Sequence, residues 1–559
     1  MLRTFTTHKI RFQQELSGKL WEFSPITADQ KGEKYQVPVP SCWETYPDFV
    51  SYRGEGMYRT TFRAGGNIRL EFKGVSHTAT VYLDGEEIAS HYNAYTIFST
   101  IVKNVPEGEH LLEVKADNRF SEVSSLHVPN DYMSYGGISR PVALETVSDV
   151  YIKSVHFTPI KDNGWKGRLD ICLANISSEE HIVSVSSELD RVNCTFPDTA
   201  VPANSFVTVT KTFVFPDAKV WMPETPNLYL LNTVLYENNE PIDDLIDRVG
   251  FRVIEIEGKK IFINKKQLRI KGFCRHEDHP NFGCSLPYEA ISYDLLLAKN
   301  LGGNSIRTSH YPNDELFLDL CDEMGILVWE ENHARGLTEE QMRNPNFQKQ
   351  CEDVIAEMIP AHYNHPSIYI WGILNECASE TEYGRECYAK QYTQIKELDS
   401  SRPRSSASCK FKTDLCFGYP EVVSYNIYPQ WYHDTPVADY LSDLYNWVQE
   451  ETSGNGKPFL ITEIGAGALY GYRTPTHDKW SEEYQAQALE EQITAVLNQP
   501  GCSGIYIWQF CDIRVCKEWF GTRPRTMNNK GIVDEYRRRK LSYDTVKRLF
   551  SAVSNYVEE

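Results

Sequence analysis

Two stretches of this 559-residue chain carry an apolar run into a glutamate: Ile368 to Glu376, IYIWGILNE, and Pro458 to Glu463, PFLITE. Short apolar runs bounded by polar residues suit strands buried on both faces, as inside a parallel barrel or sheet. In a (β/α)8 barrel the carboxyl ends of the strands collect at one mouth, which would let Glu376 and Glu463 face one another. Two carboxyl groups flanking a sugar can protonate the leaving oxygen and attack the anomeric carbon. Either glutamate alone reads as a solvated strand end; the case rests on their company.

A fold must bring these strand ends together, and the pattern after Lys259 has the required rhythm. LRIKGF precedes the helix YDLLLAKNLG, NSIRTS precedes ELFLDLCDEMG, and ILVWEE with a loop precedes NFQKQCEDVIAEMIPAHYN. IYIWGILNE precedes a helix around Cys387 to Leu398; VVSYNIY, PFLITE and SGIYIWQF follow, and SYDTVKRLFSAVSNYV closes the chain as a helix. Strands alternating with helices over about three hundred residues predict a C-terminal (β/α)8 TIM barrel.

The earlier chain is all strand. Between Leu20 and Val147, alternating runs such as GMYRTTFRA, NIRLEFKGV and ATVYLDGEEIASH, with Asp84-Gly85 as a hairpin turn, predict a jelly-roll β-sandwich. From Val150 to about Glu255, six or seven strands predict an immunoglobulin-like β-sandwich with no catalytic constellation of its own. The expected domains are therefore 1–149, 150–255 and 256–559. The loop DYMSYGGISRPV, Asp131 to Val142, stands out in the first: Gly136 and Gly137 permit a tight backbone excursion among aromatic and hydrogen-bonding groups.

A formal charge of −20 argues against binding nucleic acid by phosphate neutralisation. The first residues lack the apolar core and small-residue cleavage site of a signal peptide, and no run approaches a membrane span, so a cytoplasmic protein is expected. The 14 cysteines show no repeated CxxC spacing, which favours reduced, buried thiols over disulfides or zinc. No metal or cofactor is implied.

With KGFCRHED (Lys271 to Asp278), NSIRTSHYP (Asn304 to Pro312), IYIWGILNE and ITEIGAGALYG in this order, the chain resembles glycoside hydrolase family 2, and within it the β-glucuronidase branch. The resemblance covers nearly the whole length. It implies Glu376 as general acid/base, Glu463 as nucleophile, Asn375 on the sugar 2-hydroxyl, Tyr428 beside the nucleophile and Trp508 as the floor of the sugar site. It also implies that Asp131 reaches O3 and O4 and that His310 lines the pocket; Tyr432, beside Tyr428 in the same stretch, joins the substrate-binding set. Retaining chemistry would place the two carboxyls roughly 5 to 5.5 Å apart.

The uronate-binding members carry Asn-x-Lys, matched here by Asn528 and Lys530 in MNNKG. A C6 carboxylate needs a cation and a neutral donor to replace its hydration. The resemblance thus implies a terminal β-hexuronide substrate, small or oligosaccharidic, and homo-oligomers, dimers or tetramers, as in relatives. Two departures bear on specificity. EENHARG places Arg335 where glucuronidases have an apolar residue, so a guanidinium could reach an axial O4 and favour β-galacturonides; alternatively it points to solvent or to the uronate carboxylate. The loop GLTEEQMRNPNF is also short, which would leave the aglycone side open. A neutral-sugar β-galactosidase or β-mannosidase, and a non-catalytic sugar-binding protein, are the rival readings.

Overall fold

The computed structural model describes residues 1–26 and 33–557. In the first sandwich, Glu55–Phe72 and Phe98–Asp117 pair antiparallel along their lengths, with irregular register around Gly66. Thr78–Leu83 alternates half-buried and buried residues, as a strand with one face on a core must, and returns as Glu86–Tyr92. The turn between them is Asp84-Gly85, both with positive φ (51° and 87°), the geometry that a tight two-residue hairpin requires. Trp21, Phe23, Trp43, Tyr58 and Phe72 fill the core.

The second sandwich packs Val150–Lys161, Trp165–Asn175 and Ser205–Val214 against a sheet built on His181–Leu189, Tyr229–Glu237 and Glu240–Val249. At its centre Phe157 meets Phe215 and Phe251 edge to face, Trp165 meets Phe251 likewise, and Phe215 lies tilted against Phe251.

The C-terminal part is a nine-stranded parallel sheet, from Arg404–Ser405 through Ile368–Gly372, Leu327–Glu331, Ser305–Arg307 and Ile270–Cys274 to Cys502–Ile507, Phe459–Ile464, Val423–Asn426 and Ala407–Ser408. The first and last strands of that order are consecutive in the chain. Arg404–Ser405 pairs with Ile368–Gly372, and Ala407–Ser408 pairs with Val423–Asn426, so one extended segment bent at Ser406 closes the circle. The expected helices are present at Tyr288–Asn300, Glu315–Met324, Phe347–His362, Glu382–Leu398 and Ser542–Ser551. Val437–Glu451 and Glu482–Asn498 are two more that sequence reading passed over. The last helix stops short of the expected Val557 because Lys271 donates to Phe550 O (2.8 Å) and Val553 O (2.9 Å), satisfying carbonyls at its C-terminal end. Among the described residues no helix is long and apolar enough to cross a membrane.

The three parts are fastened by residues 1–11. Arg3 pairs with Asp319 (2.7 Å) and Glu315 (3.0 Å) on a barrel helix. The backbone N–H groups of Lys9, Ile10 and Arg11 donate to Asp244 of the second sandwich, and the Arg11 guanidinium bridges Asp243 and Glu145. Buried charges cost free energy unless paired this completely.

Candidate active site

Strand Ile368–Gly372 ends earlier than the sequence suggested. The apolar run continues to Leu374, but the chain leaves the sheet after Gly372, and Leu374 and Glu376 take positive φ (47° and 54°) that no strand tolerates. Glu376 therefore stands on the loop beyond the strand. That loop is held firmly: Leu374 N–H donates to Asn332 Oδ1, Glu376 N–H to Ala407 O (2.9 Å), and Tyr388 O–H to Leu374 O (2.6 Å). Positive φ at non-glycine residues is a cost that this surrounding network sustains. Glu463, by contrast, lies within its strand, Phe459–Ile464, which runs one residue past the expected end.

Both carboxyls line one cavity of about 450 Å³ with Asp131, Arg335, Tyr428, Tyr432, Trp508 and Lys530. Glu463 accepts from Tyr428 O–H (2.6 Å) and from Arg307 NH1 (2.8 Å). Glu376 accepts from Asn426 Nδ2 (3.0 Å), whose amide is oriented by the Thr462 hydroxyl on its carbonyl (2.8 Å). Burial and the adjacent Glu376 charge push the Glu463 carboxyl up to about 7, against the pull of Arg307 and Tyr428.

Arg307, fully buried, is the hub that sequence reading missed. It donates to Glu331 through Nε and NH2 (both 3.0 Å), to Glu463, and to Asn375 Oδ1 (2.7 Å). Burial disfavours its charge, but Glu331 and Glu463 more than offset this and hold it firmly cationic. An arginine at the end of the short, wholly buried strand Ser305–Arg307 was the available signal. Asn375 sits behind the cavity wall, its Oδ1 taken by Arg307 and Asn426 while its buried Nδ2 makes no hydrogen bond. His310 also lies behind, stacked on Trp508 (5.1 Å between ring centres), with Nδ1 2.9 Å from Glu331 and Nε2 3.9 Å from Glu463. Burial and Arg307 push the His310 imidazole well below its usual range, so it is neutral.

Asp131 crosses from the first sandwich into the same cavity, at the start of the loop whose excursion Gly137 permits (φ 112°). A side chain at Gly136 would meet the Trp43 ring at 2.2 Å, so the loop lies tight on the sandwich core. Asp131 accepts from Asn528 Nδ2 and Arg523 NH2 (each 3.2 Å) and lies 3.4 Å from Arg335. Burial opposes its charge, but Arg335, Lys530 and Arg523 hold the carboxyl well below the usual range.

Arg335 does not point to solvent. NH1 donates to Asn130 Oδ1 (2.7 Å), and NH2 lies 3.6 Å from Glu376, so the guanidinium spans from Asp131 to Glu376. Lys530 donates to Tyr432 O–H (3.1 Å) and stands 5.2 to 5.7 Å from the ring centres of Tyr432, Trp431 and Tyr428. Such an aromatic surround stabilises an ammonium away from bulk water. Arg523, packed over Trp519 at 4.9 Å, has no sequence signal of its own.

A barrel mouth that joins two carboxyls, one on a strand and one on the loop after a different strand, beneath a sandwich-borne aspartate defines a glycosyl hydrolase. Family models agree along the chain: a TIM barrel domain of glycosyl hydrolases family 2 matches residues 254–555, a glycosyl hydrolases family 2 model matches 150–252, and a glycosyl hydrolase 2 galactose-binding domain-like model matches 48–151. The chain belongs to glycosyl hydrolases family 2. Among solved structures it is similar to a GH2 β-galacturonidase from Eisenbergiella tayi, 62% identical over the whole of both chains with a TM-score of 0.98, which has also been seen bound to galacturonate. It is similar to a β-D-glucuronidase from Dictyoglomus thermophilum, 25% identical over the whole of both chains with a TM-score of 0.86. A β-glucuronidase from Paenibacillus borealis is 25% identical over 98% of each chain.

Proposed function

We propose that this enzyme cleaves terminal β-D-hexuronides with retention of configuration. The observation that carries the reading is the cavity itself, which holds Glu376, Glu463 and Lys530 together. Glu463, held by Tyr428 and Arg307, attacks the anomeric carbon while Glu376 protonates the leaving oxygen. Once Glu463 is esterified its charge is gone, and Glu376, no longer repelled, can take a proton from water. Asn375 has a free buried N–H for the 2-hydroxyl, Trp508 floors the ring, and Asp131 accepts from O3 and O4. Lys530 and Asn528 receive the C6 carboxylate, with Tyr432 positioning the ammonium and His310 bracing the floor. The similarity to glucuronidases and a galacturonidase supports the uronic acid.

A second reading concerns the C4 epimer. Arg335 stands beside Asp131, the residue assigned to O3 and O4, and the whole-length similarity to the Eisenbergiella galacturonidase supports acceptance of β-galacturonides. A neutral-hexose reading leaves Lys530 without an anionic partner, and a binding-only reading leaves the paired carboxyls without work. The three-domain division at 149 and 255, a cytoplasmic location and assembly into dimers or tetramers belong to the same proposal. The test is a panel of nitrophenyl β-glycosides: glucuronide, galacturonide, glucoside and galactoside. Hydrolysis confined to the neutral sugars would overturn it.

A further inference from the structure

We propose that Cys42 and Cys284 form an oxidisable pair that covalently links the first sandwich to the barrel. Their sulfurs lie 3.4 Å apart although the residues belong to different domains. Cys42 follows strand Tyr35–Val39 of the sandwich; Cys284 lies in the loop between strand Ile270–Cys274 and helix Tyr288–Asn300 of the barrel. A disulfide bond is about 2.05 Å long, so closing the pair needs the sulfurs to approach by about 1.4 Å.

The surroundings hold this approach in place. A side chain at Gly283 would meet Cys42 Sγ at 2.9 Å, and glycine there, at φ 57°, is what lets the barrel loop come so close. Met133, Tyr135 and Cys516 pack around Cys42, with Cys284 at the edge of the cluster. Cys516 is otherwise engaged, donating its thiol to Tyr132 O (3.1 Å). Tyr135 and Met133 belong to the loop that begins at Asp131, so the link would fasten that loop's support to the barrel mouth.

The two thiols differ in access. Cys42 is wholly buried, and burial with the neighbouring Cys284 raises its thiol well above the usual range; Cys284 is partly exposed. The first step therefore falls to Cys284. Its thiolate attacks a low-molecular-weight disulfide, breaking that S–S bond, leaving a mixed disulfide on Cys284 and releasing one small thiol. The Cys42 thiolate then attacks Cys284 Sγ, forming the Cys42–Cys284 bond and expelling the second small thiol. The two cysteines give up two electrons and two protons, and the reagent is reduced to two thiols.

The experiment incubates the full-length enzyme with oxidised glutathione at mildly alkaline pH and maps peptides under non-reducing conditions. The expected result is a peptide joining Cys42 to Cys284 with the loss of two hydrogens, reversed by dithiothreitol. The apparent melting temperature should rise by about 3 °C, since the link closes a long loop in the unfolded chain. Cys42→Ser should keep the glutathione adduct on Cys284 and show no rise, while uronide turnover at ambient temperature stays the same. Glutathione left on Cys284 of the wild type without a link would overturn the proposal, as would an equal rise in Cys42→Ser. Neither result touches the hydrolase reading, which is assayed separately.

Discussion

The Tyr428 hydroxyl donates to Glu463 at 2.6 Å, on the oxygen that Arg307 leaves free. Arg307 is committed to Glu331 as well, whereas Tyr428 is an independent donor to the attacking carboxylate. Tyr428→Phe should lower kcat about 10²-fold with a smaller change in KM, the scale seen when one preorganised donor is removed. Steady-state kinetics on a nitrophenyl uronide decide it; a change of about threefold or less would mean that Arg307 alone orients the nucleophile.

The pH dependence follows from the carboxyl pair. With the Glu463 carboxyl pushed up to about 7 by burial and by Glu376, the nucleophile loses its proton as pH rises through that value. A protonated carboxyl cannot attack, so kcat/KM should rise as pH increases through about 7. Glu376→Gln removes the repelling charge, so Glu463 should ionise at lower pH. With an activated aryl leaving group its residual activity should rise as pH increases through that lower value. An acid limb that does not move in this variant would refute the assignment.

Replacing Lys530 with Ala should cripple uronide hydrolysis far more than that of the matching neutral glycoside. Losing a desolvated charge partner is worth on the order of 3 kcal/mol, or roughly 10²-fold in kcat/KM. Equal losses on both sugars would show that the ammonium serves only to pack Tyr428, Trp431 and Tyr432.

Arg335→Ala should reduce turnover of both uronides, because the guanidinium lies 3.6 Å from Glu376. The informative quantity is the ratio of galacturonide to glucuronide kcat/KM, which should fall about tenfold, the worth of a single polar contact to one hydroxyl. An unchanged ratio would remove Arg335 from C4 recognition.

The short loop after Arg335 leads only to the brief helix Glu339–Met342 before the chain turns into Phe347–His362. Small flat aglycones should consequently bind weakly, and an aryl uronide with a KM in the low micromolar range would contradict an open aglycone side.

Much of this arrangement was readable from the chain. Strand and helix periodicity marked the barrel because buried parallel strands are apolar throughout, and Asp84-Gly85 marked a hairpin because both residues accept positive φ. The end of Ile368–Gly372 was not readable: Leu374 is as apolar as the strand before it, and only its backbone conformation, set by Asn332 and Tyr388, takes it out of the sheet. Arg523 was invisible for a different reason. Its partner Asp131 lies 392 residues away, and no local pattern encodes a contact of that span. Helices Val437–Glu451 and Glu482–Asn498 escaped notice among the polar residues that cover their outer faces.

Asp131 stands on the first sandwich and Glu376 on the barrel, yet Arg335 lies within 3.4 Å of one and 3.6 Å of the other. An excised barrel would accordingly be a blunted catalyst, with its acid in place and its grip on the far side of the ring gone. Anyone grafting this barrel onto a foreign N-terminal module, or recombining relatives at residue 255, should carry the 131–142 segment along as part of the active site.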